Sequence, residues 1–325
     1  MGLVSISYLF FGFPPLHGEA SRSWGKQFPY TLSVAALEGF LYGQGEEIVY
    51  KDADTDTYYS QLLWDMKPLW YAGASLDFSR SNPLEGLGFF STLTLKFGIP
   101  TQTGTMEDRD WLADNGALTN FSSHANYTQG ALLLNLSRGI SVPLAARVVL
   151  KLYWSLSYMA FSWASQDGFL QYAEKKSDGT YEPWDESLPK TPIYGPAIAY
   201  SQRWLIIAPG LAVQVPLSPG FIVAASFQIS PFIWCCDQDD HFSRSIQFID
   251  QTAGGIFLEP QVAVTVVPLP NLNLSLYGAY RYISGSRGDT EAKNTTTGKL
   301  FFRSTGMAGT GYAALDLGLA LKIRL

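Results

Sequence analysis

Leu315-Asp316-Leu317-Gly318-Leu319-Ala320-Leu321-Lys322-Ile323-Arg324-Leu325 shows the clearest alternation of apolar and polar residues in the sequence. Every odd-numbered position is a large aliphatic residue, and the positions between them are charged or small. Side chains two residues apart lie on the same face of a β-strand. The alternation therefore predicts a strand with one apolar face and one face that accepts charge.

The segment from Trp64 to Phe78 has the same period of two. One parity is mostly apolar, and the other carries Asp65, Lys67 and Asp77. A soluble sandwich would turn the apolar face inward, whereas a membrane barrel would turn it outward to lipid and keep the polar face in the lumen. Periodicity alone leaves both folds open.

The connections decide between these two folds. Alternation predicts ten strands, at 30–43, 59–78, 86–99, 127–137, 146–163, 193–215, 221–235, 245–267, 272–283 and 306–325. Short Pro-centred turns lie at 81–83, 141–143, 216–220 and 268–270, and mostly longer polar connections lie at 44–58, 100–126, 164–192, 236–244 and 284–305. Short turns at one end and long loops at the other, over an even number of strands, are typical of outer-membrane barrels.

We therefore predict an all-β fold, a ten-stranded antiparallel transmembrane β-barrel with long extracellular loops and short Pro-rich periplasmic turns. Several predicted strands have about twenty residues, whereas about nine to eleven residues cross a bilayer. The barrel should project beyond the membrane, and its outer part should carry any site.

Composition agrees with a lipid-facing β protein, since 14% of the residues are aromatic and 15% are charged. The apolar run 3–16, followed by Gly18-Glu19-Ala20, predicts a signal peptide over residues 1–20, although no Lys or Arg precedes it. The remainder, 21–325, is expected to form a single barrel domain. With a net charge of −6, we expect no nucleic-acid partner.

Candidate catalytic residues lie where the apolar run 221–234 ends in Cys235-Cys236-Asp237-Gln238-Asp239-Asp240-His241. The chain has three histidines, and one of them lies in the predicted leader. If the strand continues, Asp237, Asp239 and His241 share a face, and an Asp two residues before a His can orient and polarise the ring. A solvated acidic loop would carry the same residues.

A second acidic pair, Asp108 and Asp110, lies in the predicted second long loop, within Met106-Glu107-Asp108-Arg109-Asp110-Trp111. Across a ten-stranded barrel this loop can face the loop that carries His241. Two carboxylates opposite a carboxylate-oriented imidazole can activate and hold a water molecule.

Taken together, these segments resemble the omptin family of outer-membrane proteases over most of the chain after the leader. Asp108-Arg109-Asp110-Trp111 resembles the family's Asp-x-Asp-Trp pair, and Asp237-Gln238-Asp239-Asp240-His241 resembles its Asp-x-Asp-x-His segment. Glu46-Glu47-Ile48-Val49-Tyr50 is similar to the family's first loop, and Ser60-Gln61-Leu62 with Trp64 to its second strand.

The resemblance implies an outer-membrane endopeptidase whose active site faces the cell exterior. Asp239 and His241 would deprotonate a water molecule, and Asp108 and Asp110 would position it from the opposite side. Neither a covalent intermediate nor a cofactor is implied.

The resemblance also implies a substrate class. In the family a Glu and an Asp bind a basic residue before the cleaved bond, and the matching residues are Glu47 and Asp237. Cationic peptides or proteins would therefore be the substrates, attracted by charge-assisted hydrogen bonds. We expect the barrel to be a monomer.

The sequence departs from the family pattern in two places. The family's Tyr-x-Glu-x-Arg stretch, which helps to bind lipopolysaccharide, is replaced by Tyr158-Met159-Ala160-Phe161-Ser162, so no lipopolysaccharide motif is evident. An acidic stretch before the fourth strand is replaced by Thr119-Asn120-Phe121-Ser122-Ser123-His124. The preference for the residue after the cleaved bond should therefore differ from a second basic residue. His124 is expected to be a loop or barrel-wall residue.

Two other functions compete with the protease. A barrel that acts as an adhesin or a porin-like channel would keep these residues as a relic site. Asp108, Asp110, Asp239 and His241 are also an oxygen-rich set with one imidazole, which is a candidate metal site.

Overall fold

The computed structural model describes residues 30–145 and 147–325, and this part of the chain forms thirteen β-strands. The predicted signal peptide over 1–20 lies outside the described residues. The strands are β1 Tyr30–Tyr50, β2 Tyr58–Arg80, β3 Gly88–Gly98, β4 Thr101–Asp110, β5 Asn120–Ala145, β6 Val148–Tyr172, β7 Thr191–Ser218, β8 Phe221–Ser230, β9 Ile233–His241, β10 Ile246–Ala253, β11 Ile256–Leu269, β12 Leu272–Asn294 and β13 Leu300–Arg324. Two 3-10 turns lie at Pro83–Glu85 and Phe242–Arg244.

All the strand pairs are antiparallel, and the sheet closes on itself. β1 pairs with both β2 and β13, and β8 pairs with both β7 and β11, so the ladder runs around the whole barrel. A closed sheet has no free edge. The structure is therefore the antiparallel barrel that the sequence predicts.

The strand count differs from the predicted ten because three barrel strands are interrupted. β2 pairs with both β3 and β4, β7 with both β8 and β9, and β12 with both β10 and β11. β3 and β4 are therefore two halves of one crossing, broken at Ile99-Pro100. In the same way β8 and β9 are separated at Pro231-Phe232, and β10 and β11 at Gly254-Gly255. Pro removes a ladder donor, and two glycines with positive φ bend the chain. Thirteen segments thus make ten crossings.

The apolar parity faces outward, as a membrane barrel requires. On β13, Leu315, Leu319 and Leu321 are 38%, 41% and 46% exposed, whereas Asp316 and Ala320 on the opposite face are 5% and 9% exposed. The outward aliphatic positions of β13 begin at Leu315, which pairs with Tyr42 of β1. This lipid-facing band lies toward the short-turn end of the barrel.

The two ends of the barrel differ as predicted. One end has turns such as Pro219-Gly220 and Pro270-Asn271, and the other has long connections, including 173–190. Strands of 21 to 28 residues, such as β1 and β7, carry the wall beyond the lipid-facing band. In the part of the chain that the structure describes, no helix is long and apolar enough to cross a membrane.

Charged side chains fill the lumen at the level of the lipid. Lys96 Nζ lies 2.5 Å from Asp316 Oδ2, and the Tyr71 hydroxyl donates to Asp316 Oδ1 over 2.6 Å. Tyr277 completes the group, with its hydroxyl 2.6 Å from that of Tyr71. Glycine at 318 is needed here, since a Cβ would come within 2.5 Å of both tyrosine hydroxyl oxygens.

Candidate active site

β9 continues to His241, so the acidic segment is a strand and not the loop predicted over 236–244. Its burial alternates, and Asp237, Asp239 and His241 are 1%, 2% and 9% exposed on the inner face. Asp240 lies on the outer face, where its carboxylate accepts from Gln247 Nε2 over 2.5 Å. Strand geometry thus brings the three predicted residues together.

Asp239 and His241 are in direct contact. The Nε2 of His241 lies 2.6 Å from Asp239 Oδ2, and the ring packs edge-on against Phe248 at 5.5 Å between centroids. The other ring nitrogen, Nδ1, accepts from the guanidinium of Arg244, which follows in the 3-10 turn. The imidazole is therefore held from both of its nitrogens.

β4 carries Asp108 and Asp110, where the sequence predicted a loop over 100–126. Both side chains are half-buried. The Ser60 hydroxyl donates to Asp108 Oδ1 over 3.3 Å, and Asn120 Nδ2 donates to Asp110 Oδ2 over 3.4 Å. Neighbours on β2 and β5 therefore orient this pair.

The β4 and β9 groups interact electrostatically across the barrel mouth. Burial raises the pKa of Asp108 well above its usual range, and the negative charges of Asp110 and Asp239 raise it further. Burial also raises the pKa of Asp110, opposed by hydrogen bonds from Ser60 and Asn120 and by the charges of Arg244 and His241. Asp108, Asp110, Asp239 and His241 thus form one charge cluster.

Glu47 approaches the same cluster from β1, which continues to Tyr50 through the predicted loop. It pairs with Thr310 above the lipid-facing band and is 3% exposed. Burial raises the pKa of Glu47 well above its usual range, and the charges of Asp239 and Asp237 add to this effect. The Tyr200 hydroxyl donates to Asp237 Oδ2 over 3.0 Å.

Asp250 is an inner-face carboxylate of the cluster that the sequence did not single out. It lies on β10, pairs directly across from Asp237 and is 2% exposed. Burial raises the pKa of Asp250 to about 7, opposed by the Thr290 hydroxyl and aided by the charge of Asp239. The alternation of the predicted strand 245–267 could have placed Asp250 on the inner face. That it lies opposite Asp237 depends on the register between β9 and β10.

Stacked aromatic rings form the floor beneath the carboxylates. Tyr200 lies 5.2 Å from Trp64 and 5.8 Å from Trp163 between ring centroids, and Phe161 lies 5.4 Å from Trp163. The glycine at 45 makes room for this floor, because a Cβ there would come within 3.0 Å of Trp163. The cluster thus rests on a layer of stacked aromatic rings.

The remaining predicted positions lie in the wall. His124 is buried on β5, with Nδ1 2.7 Å from the Asp167 carbonyl oxygen and Nε2 3.1 Å from the Ser122 hydroxyl. The Tyr158-to-Ser162 run lies on β6, and its Met159 and Phe161 point into the barrel. Among residues 30–145 and 147–325, no group of three or more His, Cys, Asp or Glu has the arrangement of a metal site.

Comparisons with known proteins agree with this architecture. Plasminogen activator of Yersinia pestis is 24% identical over 288 residues, which is 83% of this chain and 82% of the relative. The crystal structure of outer membrane protease OmpT from Escherichia coli aligns with a TM-score of 0.80 at 17% identity, covering 91% of this chain and 97% of that chain. The structural likeness supports the fold.

The fold and the carboxylate-lined mouth define an outer-membrane barrel protease whose site faces the cell exterior. The model of the omptin family matches residues 28–325. The chain therefore belongs to the omptin family, and the resemblance read from the sequence is confirmed.

Proposed function

We propose that this barrel is an endopeptidase that cleaves next to a basic residue with a water molecule activated by Asp239 and His241. Asp108 and Asp110 position that water from the opposite side. Glu47 and Asp237 bind the basic side chain. The observation that carries the proposal is the buried Asp239–His241 contact of 2.6 Å within a cluster of carboxylates.

The roles follow from the contacts of each group. Asp239 holds Nε2 of His241, so Nδ1 is the nitrogen that takes the proton of the water. Asp239 then stabilises the imidazolium that forms. Because Arg244 contacts Nδ1, its guanidinium has to move aside before a water molecule can donate there.

The substrate cation is attracted by buried negative charge. Glu47 Oε2 is a buried oxygen without a hydrogen-bond partner among the described residues, and so is Asp239 Oδ1. Buried carboxylate oxygens without partners are costly, and a guanidinium or ammonium group supplies the missing donors. A peptide with Arg or Lys before the cleaved bond fits this requirement.

A channel function is disfavoured by the contents of the lumen. Lys96 and Asp316 are 8% and 5% exposed and contact each other inside the barrel at the level of the lipid. The aromatic floor of Trp64, Trp163 and Tyr200 lies between them and the mouth. The lumen is packed with side chains, as in other small barrels.

Cleavage by the refolded full-length chain tests the proposal. We expect a peptide with a single Arg to be cut at that residue, and His241→Ala or Asp239→Asn to lower kcat/KM at least about a hundredfold. Mass spectrometry identifies the bond, and gel mobility before and after heating verifies that each variant forms a barrel. Absence of cleavage, or cleavage that His241→Ala leaves unchanged, would overturn the proposal.

A chelator tests the metal alternative in the same assay. We expect cleavage to persist in excess EDTA, because the proposed base is the Asp239–His241 pair itself. Loss of activity in EDTA, with recovery on adding a divalent cation, would instead assign the four site residues to a metal.

A further inference from the structure

Asp250 is placed to face the same ligand as Asp237. The two residues are direct cross-strand partners on β9 and β10, and both are at most 2% exposed. Directly opposed residues have Cβ atoms about 4.5–5.5 Å apart, and like charges in this position destabilise a sheet. A cation between the two carboxylates would remove that repulsion.

Glu47 faces the same carboxylates from a third strand, β1. Its neighbours in the charge cluster are Asp239, Asp237 and Asp250. One oxygen of Glu47 and one of Asp250 are buried without a hydrogen-bond partner among the described residues. Unsatisfied acceptors thus come from two strands, β1 and β10, beside the Asp237 carboxylate that Tyr200 holds.

We propose that Asp250 is a third acidic wall of the pocket that binds the substrate's basic side chain, and that it makes this pocket select guanidinium over ammonium. This inference rests on the proposed peptidase function and specifies its substrate class. Arg before the cleaved bond should therefore be preferred to Lys.

Guanidinium fits this pocket better than ammonium for two reasons. Its planar fork offers five donors, so separate edges can meet Glu47, Asp237 and Asp250. It is also more weakly hydrated and stacks on aromatic faces, and the floor of the pocket is the ring stack of Tyr200 and Trp163. An ammonium group is compact and strongly hydrated, so removing its water costs more free energy.

The electrostatics of Asp250 and Asp237 agree with this role. Burial raises the pKa of Asp250 to about 7, and burial with the charge of Asp250 raises that of Asp237. A bound cation would lower both pKa values, because it stabilises the ionised carboxylates.

Matched peptides that differ only in Arg or Lys before the cut test the inference. We expect wild type to prefer the Arg peptide, and Asp250→Asn to lower the Arg-to-Lys ratio of kcat/KM about tenfold, mainly through KM for the Arg peptide. Asp240→Asn is the control, since it removes the same charge from the outer face of β9. An unchanged ratio in Asp250→Asn, or a wild-type preference for Lys, overturns the inference.

Binding separates this inference from the peptidase itself. In full-length His241→Ala protein, N-acetyl-arginine amide should bind more tightly than N-acetyl-lysine amide by calorimetry, and adding Asp250→Asn should abolish the difference. If wild type cuts neither peptide while this Asp250-dependent binding persists, the peptidase proposal fails and the pocket assignment stands. If both peptides are cut but neither binding nor the ratio depends on Asp250, the pocket assignment fails and the peptidase proposal stands.

Discussion

Arg244 contacts the nitrogen of His241 that the proposed mechanism needs. Its guanidinium donates to Nδ1, and its charge also acts on Asp108 and Asp110. A positive charge here would both occupy the proposed base and compete with a cationic substrate. The side chain is exposed on a 3-10 turn, so it can leave the ring without disturbing β9.

We therefore expect Arg244→Gln to increase kcat/KM for an Arg peptide, by about threefold to tenfold at low salt. Initial rates at two salt concentrations measure the effect. Arg109→Gln is the matched control, because Arg109 lies on β4 but pairs with Glu107. A decrease in Arg244→Gln alone would show that the guanidinium assists the reaction.

Asp250 should reduce the stability of the barrel at alkaline pH. Its pKa is raised to about 7 in the folded chain, whereas an ordinary Asp titrates near about 4. The folded state then binds the proton more tightly than the unfolded state, so stability is lost as pH rises through about 7.

Replacement of Asp250 by Asn removes this pH-dependent loss. We expect Asp250→Asn to raise the free energy of unfolding by about 1–3 kcal/mol at pH 8 and by much less at pH 4. Urea unfolding in detergent at the two pH values measures this, with Asp240→Asn as the exposed-face control. Equal gains at both pH values would contradict the assignment of the raised pKa to Asp250.

Sequence alternation predicted some of these residues and missed others for a physical reason. Asp237, Asp239 and His241 lie two apart, so strand parity alone puts them on one face. Asp250 meets Asp237 only through the β9–β10 register, and Arg244 reaches His241 only through the turn between those strands. Register and turn geometry depend on the folded chain.

The predicted strand bounds agree with the structure where the wall faces lipid. Where the wall faces water, the predicted strands end too early. The prediction ended the first strand at 43 and the ninth at 283, but β1 runs to Tyr50 and β12 to Asn294. Beyond the lipid-facing band the outer face becomes polar, so the alternation disappears although the ladder continues. Glu47 lies in the first of these extensions, and the β4 and β9 segments that carry Asp108 and His241 were likewise assigned to loops.

The aromatic floor couples this upper wall to the pocket. Trp163 of β6 is 1% exposed and stacks on Tyr200, which donates to Asp237. We expect Trp163→Ala to lower the free energy of unfolding by about 3–5 kcal/mol and to raise KM for Arg peptides, because Tyr200 loses its support.

Trp154→Ala provides the matched control on the same strand. Trp154 is 40% exposed toward lipid and lies opposite Arg138 and Pro209, so its loss should leave KM unchanged. Urea unfolding and initial rates on both variants separate a local effect from general weakening of β6. The same rise in KM in Trp154→Ala would contradict a specific role for the floor.

The barrel is divided into layers along its axis. The lipid-level lumen contains paired charges such as Lys96–Asp316 and Lys322–Asp77, with nitrogen–oxygen distances of 2.5 and 2.8 Å. Above them lies the aromatic floor, and above that the carboxylate cluster. A sealed base allows the upper layer to concentrate negative charge without opening a path through the membrane.

This layering predicts that the barrel does not conduct ions. Reconstituted into a planar bilayer, the wild-type chain should show no steady ohmic steps, because Lys96, Asp316, Tyr71 and Tyr277 bond to one another across the lumen. Replacing Lys96 and Asp316 together by Ala should allow water into the layer and produce measurable leak, whereas Asp240→Asn on the outer wall should not. Open steps in the wild-type protein would revive the channel alternative, since a lumen that conducts cannot be closed by these contacts.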